Sequence, residues 1–285
     1  MPYTTLISAT ELKSCANQAN VIVLDCRAEL TDPRAGAIAY AAGHIPSALH
    51  ADADLHLSDK SPGPNGEFRG RHPLPTQEAF IEQLRHWGVN STSQVIVYDA
   101  HGGMFASRVW WMLRWVGHTD VALLDGGLAA WQSVGGALVT EVPQPARGNI
   151  TLRPSTTTTV SAADIMNNLA THKCTVLDAR AADRFRGENE TIDPVAGRIP
   201  GAKNRWFKNN LRDDGHFKTA DQLRTEFQPL ISSPHETILQ CGSGISACHN
   251  ALAMEIAGLS GASLYPGSWS EWSSDSSRPV AIGAV

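Results

Sequence analysis

The segment VIVYDAHGGMFASRVWWMLRWVGHTDVALLDGGLAAW, residues 95–131, and the segment ETILQCGSGISACHNALAMEIAGLSGASLYPGSWSEW, residues 236–272, align without a gap at a constant shift of 141. Both run through a short apolar stretch, a glycine-bearing loop, a stretch of helical period, a second apolar stretch and a closing tryptophan. The match continues upstream. VIVLDCRAE from Val21 answers CTVLDARAA from Cys174, SATEL precedes the first and SAADI the second, and Gly43-His44-Ile45-Pro46 answers Gly197-Arg198-Ile199-Pro200. The chain is therefore two copies of one unit.

Within each copy the apolar, β-branched runs are too short for helices and too uniformly apolar for half-exposed strands. They are Val21 to Leu24, Val95 to Val97 and Val121 to Leu124, then Thr175 to Leu177, Thr237 to Leu239 and Ser263 to Tyr265. Such runs read as buried parallel strands. Between them lie helical segments such as Ala247 to Ala257, where Cys248, Ala251, Leu252 and Ile256 share a stripe and Gly258 marks the stop. Strand, helix and strand in series predict an α/β fold, each copy a parallel sheet with helices on both faces. The stretch Pro143 to Thr159, rich in Pro, Thr and Ser, has no period and reads as a linker. The expected organisation is one domain over 1–142, a linker over 143–159 and a second domain over 160–285.

At 285 residues the chain suits two cores better than one. A composition 42% hydrophobic and 18% charged fits a globular protein, not a disordered or membrane chain. The formal net charge of −5, with no Lys/Arg run, offers neither nucleic acid nor an anionic membrane a surface, so any bound anion must be held locally. No basic stretch followed by an apolar one opens the sequence, and no export or membrane segment is expected. Five cysteines, Cys15, Cys26, Cys174, Cys241 and Cys248, are odd in number and lack metal or disulfide spacing. Free thiols and a cytoplasmic location are expected, with no metal and no resident cofactor.

In open parallel sheets ligands bind beyond the carboxyl ends of the strands, which points at one loop in each copy. There the second copy reads Cys241-Gly242-Ser243-Gly244-Ile245-Ser246 and the first reads Ala100-His101-Gly102-Gly103-Met104-Phe105. One copy alone keeps a nucleophile. A glycine-bearing loop closing onto a helix start can turn successive N–H groups inward, and such a nest stabilises a thiolate or a terminal persulfide. The other four cysteines read as small buried hydrophobes.

The strand-CGSGISA-helix segment, the pairs Asp25-Cys26-Arg27 and Asp178-Ala179-Arg180, the GHIP and GRIP segments and Tyr265-Pro-Gly-Ser-Trp-Ser-Glu-Trp272 resemble the tandem-domain rhodanese family over nearly the whole chain. That family comprises thiosulfate and 3-mercaptopyruvate sulfurtransferases. The resemblance implies two tandem rhodanese-like domains, the first catalytically empty, and sulfur transfer through a transient Cys241 persulfide without a further cofactor. Thiosulfate-preferring members carry Arg-Lys directly after the cysteine, whereas Gly242-Ser243 resembles the mercaptopyruvate branch. From that branch the resemblance carries over a Ser243, His72 and Asp54 relay for the donor thiol's proton. The loop positions Gly242, Gly244, Ile245 and Ser246 and the side chain of Arg184 are then expected to bind donor, a planar guanidinium fork suiting a carboxylate. A second donor-binding arginine has no counterpart, since the matching stretch reads Glu190-Thr-Ile-Asp193; Arg186 and Arg198 stand as alternatives.

Arg27 and Arg180 read instead as internal ion pairs at strand ends, Trp269 and Trp272 as packing, and His249 as a satisfied structural residue. The expected donor is a small sulfur-bearing anion, and the expected acceptors are cyanide, a thiol or a thioredoxin-like protein. Two rivals share the strand-loop-helix logic. A cysteine phosphatase needs an arginine after five intervening residues, where this chain has Ala247; a non-catalytic binding module is the other.

Overall fold

The computed structural model describes residues 2–284. The chain forms two compact units that are not contiguous in sequence. One takes the chain as far as Asp59, then Pro75–Thr156 and Arg212–Phe217; the other takes Lys60–Leu74, Thr157–Leu211 and the chain from Lys218 on.

The first unit contains β1 (Leu6–Ile7), α1 (Ala9–Cys15), β2 (Val21–Asp25), α2 (Ala35–Ala42), β3 (Leu49–His50), α3 (Gln77–His86), β4 (Gln94–Tyr98), α4 (Ala106–Trp115), β5 (Val121–Leu124) and α5 (Gly127–Ser133). Its five strands are all parallel in the order β1-β5-β4-β2-β3. Every residue of β4 and β5 is buried, as a sheet covered on both faces requires. On one face Val21, Val23, Ile96, Tyr98, Ala122 and Leu124 pack with residues of α1 and α5.

The second unit repeats the plan with β6 (Thr158–Thr159), α6 (Ala162–Thr171), β7 (Thr175–Asp178), α7 (Ala182–Arg186), β8 (Lys203–Asn204), α8 (Ala220–Phe227), β9 (Thr237–Gln240), α9 (Ser246–Ile256), β10 (Ser263–Leu264) and α10 (Ser268–Trp272). The order β6-β10-β9-β7-β8 is that of the first sheet, again all parallel. The two-residue strands β1, β3, β6, β8 and β10 are too short to show a period. β6 falls inside the stretch that reads as linker, where pairing with β10 supplies the order that local sequence does not. No helix among the described residues is long and apolar enough to cross a membrane.

The repeated motifs have local causes. SATEL and SAADI are helix starts: Ser8 and Ser161 accept the N–H of Glu11 and Asp164, whose carboxylates take the serine N–H in return. Each Asp-x-Arg pair is a strand-end ion pair bound to the GHIP or GRIP turn. Arg27 donates to Asp25 at 2.6 Å and to the Gly43 carbonyl at 2.8 Å, and Arg180 donates to Asp178 at 2.6 Å and to the Gly197 carbonyl at 2.8 Å. Gly197 must be glycine, because φ is +125° and a Cβ would lie 2.6 Å from Val280 Cγ1. Trp269 and Trp272 are fully buried, and the Arg180 guanidinium lies 4.8 Å from the Trp269 ring centroid. His249 is buried, its Nδ1 3.1 Å from Asn210 Nδ2 and its ring against Phe207.

Replacing Arg180 by alanine strands the Asp178 carboxylate in the core and is expected to cost about 3 kcal/mol or more. Replacing Arg186, whose pair with Glu188 lies in solvent, should cost far less. Unfolding midpoints of the two variants check this, and equal losses would contradict it.

Candidate active site

Cys241 leaves the carboxyl end of β9, a strand in the middle of its sheet, and α9 begins five residues later. The loop between them is held from outside. The Cys241 N–H donates to Ser268 Oγ at 3.1 Å, the Trp269 N–H reaches the Cys241 carbonyl at 3.0 Å, and the Ser270 N–H reaches the Gly242 carbonyl at 2.9 Å. Ser268 sits at φ +53° to make these contacts, with its Oγ donating to the Tyr265 carbonyl at 2.9 Å. With its carbonyls claimed by α10, the loop turns an N–H inward: Gly244, at φ +79°, donates to Cys241 Sγ at 3.1 Å. Sγ therefore sits against a peptide donor although Cys241 is only 2% exposed. Ile245 is buried and Ser246 half-buried, and Cys248, one turn into α9, donates to the Gly244 carbonyl at 3.3 Å.

Ser243 is buried and its Oγ lies 2.8 Å from His72 Nδ1. His72 reaches it because Lys60–Leu74 belongs to the second unit. Gly70, at φ +96°, lets the backbone pass where a Cβ would lie 2.7 Å from the Gly267 carbonyl, and the Arg71 N–H then donates to Ser270 Oγ at 3.1 Å. Asp54 lies in the first unit, its N–H held by Asp52 Oδ1 at 2.8 Å.

Arg184 makes a forked pair with Glu190, Nη2 to Oε1 at 2.8 Å and Nε to Oε2 at 3.1 Å, and reaches Asp193 Oδ2 at 3.3 Å. Arg71 Nη1 donates to the other oxygen of Asp193. A Cβ on Gly242 would lie 2.9 Å from Arg71 Nη2 and 3.7 Å from Arg184 Nη2, so both guanidiniums border the cysteine loop. Arg186 and Arg198 do not take this place. Arg186 is spent on Glu188, and Arg198 donates to the Gly283 carbonyl at 2.7 Å and stacks over Phe185. Arg71, Glu190, Asp193 and Ser268 are the residues that sequence reasoning passed over; the adjacency of Arg71 to His72 was the one available signal.

Burial opposes ionisation of Glu190, but the Arg184 hydrogen bonds and the Asp193 and Ile192 N–H groups outweigh it and hold its carboxyl below the ordinary value. For Asp193 burial prevails and pushes its carboxyl up, against the pull of Arg71.

The matching loop of the first unit is filled from within. Asp99, placed one residue before Ala100, accepts the N–H of His101 at 2.8 Å and of Gly103 at 2.9 Å on Oδ1, and of Phe105 at 2.8 Å and Ala106 at 3.0 Å on Oδ2. The strand register corrects the ungapped pairing by one residue: Asp25 pairs with Tyr98 where Asp178 pairs with Gln240, and the Leu128 N–H reaches the Asp99 carbonyl at 3.0 Å as the Trp269 N–H reaches that of Cys241, so Asp99 stands level with Cys241 itself.

The fold and loop define a class: a duplicated α/β protein with one cysteine cradled at the carboxyl end of a central parallel strand. The rhodanese-like domain family matches residues 8–134 and 161–275. The chain belongs to the rhodanese family, and its curated relatives are sulfurtransferases. It is 44% identical over 281 residues, 98% of both chains, to a probable 3-mercaptopyruvate sulfurtransferase of Pseudomonas aeruginosa. It is 38% identical over 287 residues, again 98% of both, to a putative thiosulfate sulfurtransferase of Mycobacterium tuberculosis. Among solved structures, a 3-mercaptopyruvate sulfotransferase of Escherichia coli superposes with a TM-score of 0.81 at 31% identity, covering 94% of this chain and 99% of that one.

Because Glu190 titrates below its ordinary value, its contribution to stability is present above the ordinary carboxylate range and is lost as pH falls through the lowered value. Glu190→Gln should therefore cost about 3 kcal/mol at neutral pH, with the gap to wild type closing in acid. Unfolding measured at both pH values checks the sign; a gap that stays constant would assign the loss to packing.

Proposed function

We propose that the chain transfers a sulfane sulfur from 3-mercaptopyruvate, with thiosulfate as a second donor, through a persulfide on Cys241 to a thiophilic acceptor. One observation carries the reading: Cys241 Sγ accepts the Gly244 N–H while the neighbouring Ser243 hydroxyl meets His72 Nδ1 at 2.8 Å. Nucleophile, anion-stabilising amide and proton-handling pair thus occupy one short loop.

In the first half-reaction the Cys241 thiolate attacks the donor sulfur. For 3-mercaptopyruvate the new S–S bond forms as the C–S bond breaks, its electron pair leaving on the enolate of pyruvate. Ser243 and His72 take the proton from the donor thiol and return it to the enolate carbon. For thiosulfate the bond broken is S–S, sulfite leaves with the electron pair, and no thiol proton has to move. In the second half-reaction cyanide, a thiol or reduced thioredoxin attacks the outer sulfur and regenerates the Cys241 thiolate. The persulfide is the only carrier, and the cytoplasm, which keeps thiols reduced, is its setting. Gly242, Gly244, Ile245 and Ser246 contribute backbone to the donor pocket and Arg184 a guanidinium. Asp99, already seated on the amides of the first unit's loop, supports a catalytically silent first unit.

The phosphatase reading lacks an arginine at Ala247. Intact-mass analysis after exposure to either donor decides between sulfur transfer and a mere binding module. Wild type is expected to gain one reducible sulfur and Cys241→Ala none; gain by the alanine variant would defeat the proposal. His72→Ala and Ser243→Ala should lower kcat/KM for 3-mercaptopyruvate by about a hundredfold, the usual scale of acid–base assistance, and for thiosulfate far less. Equal losses on the two donors would remove the relay. Side by side, wild type should favour 3-mercaptopyruvate; thiosulfate ahead by more than about tenfold would overturn the donor assignment.

A further inference from the structure

The two copies build the segment after their last strand on one backbone and fill it differently. Residues 124–131 of the first unit and 265–272 of the second stand level: Leu123 pairs with Val97 as Leu264 pairs with Leu239, and Gly127 sits at φ +58° where Ser268 sits at φ +53°. Leu124 and Ala130 are apolar members of the first core, whereas the same two places in the second unit hold Tyr265 and Glu271. We propose that Glu271, seated with Tyr265, is a positioning residue for the proton relay, fixing the turn at Gly267 against which the segment carrying His72 is held. The proposal rests on the sulfur-transfer reading and adds to it what keeps His72 in register with Ser243.

A Cβ on Gly126 would lie 2.8 Å from Ala130 Cβ, and one on Gly267 would lie 2.7 Å from Glu271 Cβ, so the two turns share one geometry. From that point the Glu271 side chain folds back, and its carboxyl takes the space that a side chain at residue 267 would need. The carbonyl of the same Gly267 is what Gly70 crosses, and it accepts Ser270 Oγ at 3.1 Å, which in turn accepts the Arg71 N–H. His72, the next residue, meets Ser243. The Tyr265 hydroxyl, buried without a close partner among the described residues, faces the Glu271 carboxyl. The other charges facing that carboxyl are Arg278, whose Nη1 donates to the Glu271 carbonyl at 2.6 Å, and Glu67 and Arg69 of segment 60–74.

Polarity at these two places opposes folding. Burial pushes the Tyr265 hydroxyl far up, and it pushes the Glu271 carboxyl up against the pull of Tyr265 and Arg278. Leucine and alanine complete the same core in the first unit, so the copy that keeps the nucleophile carries an unfavourable pair that the other copy lacks. A local rule broken without a packing gain marks a functional position. The gain falls on Gly267. An ionised Glu271 accepts from Tyr265 and attracts both Arg278 and Arg69, which fixes the turn from below and draws segment 60–74 onto it.

The test uses the full chain, the variants Glu271→Gln and Tyr265→Phe, and His72→Ala as reference. Both kcat and KM are measured for 3-mercaptopyruvate and for thiosulfate from neutral pH into acid, together with unfolding midpoints. At neutral pH the first two variants should lower kcat for 3-mercaptopyruvate about tenfold with KM unchanged, within the loss that misplacing a catalytic group brings. For thiosulfate, where no thiol proton moves, kcat should stay within about threefold of wild type. The gap between wild type and Glu271→Gln should close as pH falls through the raised value, because protonation removes from wild type the charge that glutamine lacks. The Glu271→Gln midpoint should not fall at neutral pH, where a carboxyl pushed up by burial destabilises the fold. A kcat on 3-mercaptopyruvate within about threefold of wild type at every pH overturns the proposal, as does an equal loss on both donors, a gap that ignores pH, or a loss matched by a lower midpoint. Wild type that gains no sulfur from either donor, or His72→Ala that spares 3-mercaptopyruvate, sinks the underlying reading and this proposal with it, so the failures are told apart.

Discussion

The cysteine loop works only because its outward carbonyls are already taken. The amides of Trp269 and Ser270 bind the carbonyls of Cys241 and Gly242, and Ser268 Oγ accepts the Cys241 N–H. A peptide unit whose oxygen is fixed outward must turn neighbouring N–H groups the other way, and Gly244, free to adopt positive φ, delivers one to Sγ. The strain at Ser268 belongs to the same arrangement, since that residue both accepts from Cys241 and donates to Tyr265. Thus the closing Tyr-Pro-Gly-Ser-Trp segment, remote in sequence from the cysteine, builds the cysteine's environment.

Comparison of the two copies isolates what the chemistry requires. Backbone order, strand register and the Asp-x-Arg ion pairs are shared, so they serve folding. The loops differ in what occupies their amides. Asp99 brings a side chain that takes four N–H groups of its own loop. At the level position the second unit carries Cys241, whose Sγ takes the Gly244 N–H where the first unit's loop amides meet the Asp99 side chain.

The architecture was legible because it is repetitive and local. Val21 to Leu24 and Thr237 to Leu239 announce buried strands by composition, SATEL and SAADI announce helix starts by capping chemistry, and the Cys241/Ala100 difference stands out once the copies are aligned. The two-residue edge strands left no trace, since their order comes from a neighbour's ladder and not from their own period. Arg71 and Asp193 were illegible for a stronger reason. Nothing in a linear pattern says that a segment 170 or so residues before the loop joins the loop's own unit, and a guanidinium near a carboxylate reads by default as a surface pair.

That placement of residues 60–74 bears on how the contact between Ser243 and His72 is held in place. A hydrogen bond of 2.8 Å between Ser243 and His72 tolerates little drift, and His72 lies outside regular secondary structure, where a side chain is normally mobile. Here three adjacent residues are each tied down. Gly70 is wedged against the Gly267 carbonyl, Arg71 is bonded through its N–H to Ser270 and through its guanidinium to Asp193, and His72 closes on Ser243. Ser243 and His72 therefore hang from one scaffold, the 265–272 segment, which also holds Cys241. The relative positions of Cys241, Ser243 and His72 then depend on a single element, the arrangement that keeps side chains of one site in fixed geometry.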